Sequence, residues 1–237
     1  MRNRTKRVAA IVVTMLVLLG LVVFAPSAGA WEKLACDDEP GFGRWPGHGD
    51  GSPVEIWYTN RDLAGGTDAI VSEAFEDAVA EWNQGVVPHV RMVPVDIEGD
   101  SFLPGSAKSD VDFDSVYEHP DRRAGWFTNY CDGEFLSPGN DIRLNQTWMD
   151  RYIAEGRMDL VISAANHETG HAFSLGHEND IPCDGRPNVP LMFETSCPPW
   201  IHPNEDDLAG PRAIYPLRPP SPCLDPTTRG PVDVGCI

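Results

Sequence analysis

The eleven residues HETGHAFSLGH, 167 to 177, hold three histidines and one glutamate. On a helix, His167 and His171 lie four residues apart and stack on one face, a turn from each other. Two imidazoles so placed can share one Zn²⁺ at about 2.0–2.1 Å each. Glu168 points round the helix from that pair. It is no ligand beside them, but it can reach a water on the metal. Two histidines leave zinc short of protein ligands, so a third must come from beyond the helix. His177 lies six residues past His171 and reaches the metal if the helix stops between them and the chain turns back. The fourth position then stays open for water, which separates a catalytic zinc from a structural one.

That turn asks for a positive φ near position 174, which glycine adopts without a Cβ penalty. The residue there is Ser174, at a cost of about 1 kcal/mol, so Ser174→Gly is expected to keep the metal and raise stability slightly. The competing arrangement runs the helix on to Leu175 and uses Gly176 as the left-handed residue. His177 then swings away, and Glu178 or Asp180 ligates instead. The other four histidines, His48, His89, His119 and His202, are scattered in loops or strand ends and read as surface residues.

The elements around this stretch follow from periodicity. VEIWYTN, 54 to 60, alternates and is β-rich, which predicts a strand. Ile70, Ala74, Phe75, Ala78 and Trp82 recur at helical spacing with acids between them, an amphipathic helix whose aromatic stripe is core. VPHVRMVPV predicts a strand, SDVDFDSV a short one, and AGWFTNY and NDIRLNQTW two more, separated by a turn. The metal-bearing helix starts near Asp159, which can cap it, and carries Leu160, Val161, Ala164, Ala165 and Ala172. PNEDDLAGPRAIYP holds a short polar helix start.

Composition sets the surroundings. Arg2, Arg4, Lys6 and Arg7 precede an apolar run from Val8 to Ala25, and Ala28-Gly-Ala30 offers a cleavage site. This is the layout of a secretory signal peptide over residues 1–30; an uncleaved anchor is the alternative. The expected product is a secreted, extracellular chain with no stable membrane association. It carries 14 basic against 36 acidic residues, and the whole sequence has a net charge of −18. Such a domain does not bind nucleic acid through phosphates, and some carboxylates are candidates for Ca²⁺. The six cysteines all follow the signal segment, which favours three disulfides in an exported chain. Fifteen pairings are possible. Cys183–Cys197 would close a short loop and Cys223–Cys236 the tail, leaving Cys36 with Cys131. Cys36 as a thiolate capping the zinc is the alternative.

HETGHAFSLGH with PLMFET downstream resembles the metzincin metallopeptidases, whose signature is HExxHxxGxxH followed by a Met-turn. AIVSEAFEDAVAEWNQ, NDIRLNQTW and HPNEDDLAGPRAIYP are similar to elements of the matrixin branch. The resemblance covers about residues 53 to 216. It implies an α+β fold: a mixed twisted sheet, two long helices and a small irregular lower subdomain with the Met-turn. It implies that His167, His171 and His177 ligate one catalytic zinc, that Glu168 is general base and then general acid, and that Met192 floors the site. Ser174 departs from the motif's glycine, no segment matches a second zinc site, and Glu194 stands where the astacin branch has a ligand tyrosine.

Four regions follow: the signal peptide (1–30), an irregular N-terminal segment (31–52), a metzincin-like peptidase domain (53–216) and a Pro-rich, disulfide-stapled tail (217–237). The expected function is a secreted, monomeric zinc endopeptidase acting on polypeptides. The GWFTNY strand would be the cleft edge that pairs with an extended substrate. Rival readings are a non-catalytic zinc-bound adhesion or binding module, and a zinc hydrolase of cell-wall peptide amides. An intact Glu168 argues against the first.

Overall fold

The computed structural model describes residues 31–36, 42–46, 53–60, 67–95, 109–115, 123–136, 140–178, 190–193 and 201–217. Contacts separate the chain into Met1–Ala30 and Trp31–Ile237, and all described residues lie in the second unit. The signal segment, most of the tail, Cys183, Cys197, Cys223, Cys236, His48, His119, Asp180 and Glu194 lie outside the described residues. Among the described residues, no helix is long and apolar enough to cross a membrane.

The fold is α+β. Strand β1 (Val54–Asn60) is followed by helix α1 (Thr67–Val86), β2 (Val90–Pro94), β3 (Ser109–Ser115) and β4 (Gly125–Phe127). A small hairpin comes next, β5 (Cys131–Asp132) and β6 (Phe135–Leu136), then β7 (Asn140–Leu144). Helices α2 (Gln146–Ala154), α3 (Met158–Ala172) and α4 (Glu205–Ile214) complete the described elements. The five-stranded sheet has the order β2-β1-β3-β7-β4. Its first four strands run parallel, and β4 pairs antiparallel with β7 at one edge. This is the expected mixed sheet, with the GWF strand at its rim. The strand is shorter than AGWFTNY predicted, because Tyr130 leaves the ladder to exchange hydrogen bonds with the Asn140 side chain.

Alternation in β1 buries Val54, Ile56 and Tyr58, the period-two pattern of a strand with one face on a core. Helix α1 answers with Val71, Ala74, Phe75, Ala78, Val79, Trp82 and Val86, all on one stripe. Ile70 is only half-buried, and Val71 takes the core position expected of it. Helix α3 lies against α1, with the Trp82 and Phe173 rings stacked at 5.5 Å between centroids. The Trp82 indole N–H donates to the Asn166 carbonyl at 3.0 Å. On α3, Val161, Ala165 and Ala172 are buried, while Leu160 and Ala164 are half-covered.

Two expectations are corrected. NDIRLNQTW is not one strand: it stops at Leu144, and Asn145 caps α2 by accepting from the Thr147 N–H at 3.1 Å. The described residues therefore hold one helix, α2, beyond the two long ones and the short one expected. Asp159 does not cap α3. It sits in the first turn, and its carboxylate receives the Arg157 guanidinium at 2.9–3.0 Å. The N-terminal segment contributes to the core, with Leu34 and Trp45 6% and 1% exposed. Cys36 is joined to Cys131 across a sequence separation of 95. That is the expected pair, and it removes Cys36 as a thiolate cap. Asn145→Ala, by removing a buried cap, should lower unfolding free energy by about 1 kcal/mol, measured by chemical denaturation against the parent chain.

Candidate metal centre

Helix α3 sets two of the three imidazoles. His167 and His171 face the same side, their ring centroids 4.8 Å apart. The helix ends at Ala172, with Phe173 as its C-cap. Ser174 follows at φ 69°, the only positive φ on a non-glycine among the described residues. The Ser174 N–H donates to the His171 carbonyl at 2.8 Å and the Leu175 N–H to the Gly170 carbonyl at 3.2 Å. This pair of reversed bonds is the Schellman termination, in which a left-handed residue satisfies the helix's last carbonyls. The chain thereby turns back, and His177 returns to the helix face. Its Nε2 lies 3.2 Å from the Nε2 of His167 and 3.2 Å from that of His171. A tetrahedral ion with ligands at about 2.0–2.1 Å requires nitrogens about 3.3 Å apart, so the spacing fits one shared metal. Among the described residues these three histidines are the group that could hold an ion. The alternative in which Gly176 takes the left-handed position and Glu178 ligates does not hold.

The rings are oriented from behind. His171 Nδ1 lies 2.7 Å from the Leu175 carbonyl and His167 Nδ1 lies 2.9 Å from the Leu191 carbonyl. A carbonyl only accepts, so each Nδ1 carries the proton and each Nε2 offers its lone pair inward. His171 is held well below the ordinary histidine range, first by burial and then by its two histidine neighbours. It stays neutral, the form a metal needs. His89 and His202 lie apart from the site. His89 Nδ1 meets the Tyr215 carbonyl at 2.9 Å, and His202 pairs with Glu81 at 2.8 Å.

The Glu168 side chain lies against β4 at the sheet rim. It is 5% exposed, and a Cβ added to Gly125 of β4 would stand 2.9 Å from its Oε1. Burial pushes its carboxyl up to about 8, against an opposing pull from Arg123. Met192 lies under α3, 3% exposed. A Cβ at Gly170 would fall 2.3 Å from its sulfur, so the glycine in HETGH is what lets the methionine close the floor. The Met192 carbonyl accepts from the Glu178 N–H at 2.9 Å.

Two residues that sequence reading passed over support this floor. Asp207 of α4, 1% exposed, accepts from the backbone N–H groups of Leu191 (3.1 Å), Met192 (3.4 Å) and Asn204 (2.8 Å). With Asn204 it forms a reciprocal capping box, a signal present in the sequence as Asn-x-x-Asp. Tyr215 shares a hydrogen bond of 2.6 Å with the Ser174 hydroxyl, and its phenol oxygen accepts from the Trp45 N–H at 3.0 Å. No sequence signal links positions 41 residues apart.

No family model and no curated protein matches the chain. Among solved structures, a chain of the GM1 bound form of the ECX AB5 holotoxin aligns with a TM-score of 0.41 at 17% identity, covering 68% of this chain and 80% of that one. A likeness this distant carries no argument about family or activity.

Two measurements follow from the geometry. The expected gain from Ser174→Gly reverses. Relief of the left-handed serine is worth about 1 kcal/mol, but a fully buried hydroxyl pair is broken, at about 1–3 kcal/mol. The variant should melt below the parent, and by a smaller margin when compared in a Tyr215→Phe background. For Asp207, burial raises the carboxyl from 3.8 to about 6 despite three backbone donors. The fold therefore holds this proton more tightly than the unfolded chain does. Its stabilisation is full below about pH 4 and is lost as pH rises through about 6. The stability difference between the parent and Asp207→Asn should thus narrow from about pH 4 to about pH 7. A difference that widened with pH would refute the assignment.

Proposed function

We propose that the chain is a zinc-dependent endopeptidase of metzincin-like architecture, nearest the matrixin branch, working outside the cell. The observation that carries the reading is the convergence of three Nε2 atoms at 3.2 Å spacing beside a buried carboxylate that is not among them. Zinc rather than another ion suits three neutral imidazoles with one position left open. When bound there, zinc supplies a Lewis acid for the scissile carbonyl and brings the pKa of its water down to about 7.

Glu168 is the base in this scheme. Burial alone favours its protonated form at neutral pH, whereas a dication alongside favours the carboxylate. Glu168 then takes a proton from the attacking water and returns it to the leaving amine. Strand β4 is the described rim strand of the sheet beside Glu168. An extended peptide adding to that edge would be held by backbone hydrogen bonds with its scissile bond over the histidines.

The deciding experiment incubates the purified oxidised chain with a denatured protein, with and without a zinc chelator, and maps cleaved bonds. Chelator-sensitive cleavage of internal peptide bonds is the expected result. Stoichiometric zinc with no hydrolysis of any amide would favour the adhesion-module reading, and cleavage confined to cell-wall peptides the other. Glu168→Gln should keep close to one zinc per chain and lose cleavage by at least about 100-fold. Substantial turnover in that variant would remove Glu168 from the mechanism.

A further inference from the structure

The backbone after α3 is held by the N-terminal segment as well as by the helix it leaves. The Leu34 N–H donates to the Ser174 carbonyl at 3.0 Å, and the Gly176 N–H donates to the Glu32 carbonyl at 2.9 Å. These bonds bracket Leu175, which forms an antiparallel bridge with Lys33. The Trp45 indole N–H donates to the Ala172 carbonyl at 2.7 Å, closing the last turn of the helix. Contact with the segment is close. A Cβ on Gly176 would sit 2.6 Å from the Lys33 carbonyl oxygen, so only glycine fits beside His177 while the segment is docked. The segment in turn is anchored at its far side. Cys36 is bonded to Cys131 in the β5–β6 hairpin, and Arg44 joins that hairpin through backbone bonds with Glu134 (3.2 Å) and Leu136 (2.9 Å).

We infer that residues 31–36 and 42–46 are a positioning strap for the third metal ligand, and that the Cys36–Cys131 bond makes metal affinity depend on oxidation. This rests on the reading that the three histidines bind a metal. His167 and His171 have their backbone placed by their helix, with only the ring orientation set by the Leu191 and Leu175 carbonyls. His177 is placed by a loop whose backbone donors and acceptors on both sides of Leu175 are taken by the strap. Freed from the strap, the loop loses the bonds at Ser174 and Gly176 together, and His177 loses its fixed approach. The bond forms when two thiols give up two electrons and two protons by exchange with a protein or small-molecule disulfide, which leaves as a dithiol. The full-affinity site then arises only where such oxidants act.

Cobalt(II) reports both affinity and coordination. The full-length oxidised chain, Cys36→Ser/Cys131→Ser and Trp45→Phe are titrated with Co²⁺ against a competing chelator. The visible band is recorded, and near-UV circular dichroism checks folding. The parent is expected to bind one equivalent with the strong band of a low-coordinate site. The folded double-serine variant should bind about 10- to 100-fold more weakly, with a weaker band as water replaces His177. Trp45→Phe should shift affinity and band in the same direction to a lesser extent. Parent affinity and spectrum in the folded double variant would overturn the strap while leaving the metal reading intact. If the double variant does not fold, Trp45→Phe decides, and an unchanged band there overturns the proposal. A parent chain that takes up no cobalt overturns the metal reading, and the strap with it.

Discussion

A helix cannot present a third ligand six residues after the second. At 1.5 Å per residue, His177 on a continued α3 would stand about 9 Å along the axis from His171, far outside the reach of one ion. The whole centre therefore depends on the backbone reversal at Ser174 and on whatever holds it. The helix supplies part of the hold, through the two reversed bonds from Ser174 and Leu175. The rest comes from outside the helix. Tyr215 takes the serine hydroxyl, Trp45 caps Ala172, and Leu34 and Glu32 secure the backbone on either side of Leu175. A serine at φ 69° persists because these partners over-determine it. The same partners explain why a serine serves here: its side chain is a hydrogen-bonding group in a pocket that already contains a phenol.

The second dependence runs through the floor. Leu191 and Met192 carry four carbonyl or amide contacts that matter to the histidine cluster, one to His167, one to Glu178 and a pair to Asp207. A buried carboxylate is costly to hold unless its oxygens are satisfied. Asp207 meets that condition with backbone N–H groups from two separate pieces of chain, and so ties α4 to the turn under the metal helix. Gly170 makes the approach possible from the other side. One residue of the HETGH stretch thus serves packing beside the histidines that converge.

What could be read from the sequence was what is local. The four-residue histidine spacing, the stripe on α1 and the need for a left-handed residue at 174 are all stated within one turn or one strand of chain, and the structure places them as expected. Helix α2 was hidden because QTWMDRYIA directly follows a strand, with Asn145 acting as its cap. The strap was read as irregular because it is rich in Gly, Pro and Asp, and bridges of single residues leave no periodicity. The Tyr215 phenol was illegible for a stricter reason. Its partners lie 41 and 170 residues away, and only the folded chain brings them together. Ser174 therefore looked like a defect that glycine would repair, when its side chain is a partner in a buried network.

Charge and ligand type finally act on each other. The chain is acidic, with a net charge of −18, which raises the local concentration of cations without selecting among them. On the proposed reading selection would fall to the histidines, and neutral imidazoles would add no negative charge to the ligand set. A dication held by three neutral imidazoles keeps its full charge, unlike one held by thiolates or carboxylates. That charge is what would favour the ionised form of Glu168, whose burial otherwise favours the proton. An acid buried beside an uncharged ligand set favours its proton, and a dication held there would favour the carboxylate. The two halves of the site depend on each other in a way that neither the histidines nor the glutamate would show alone.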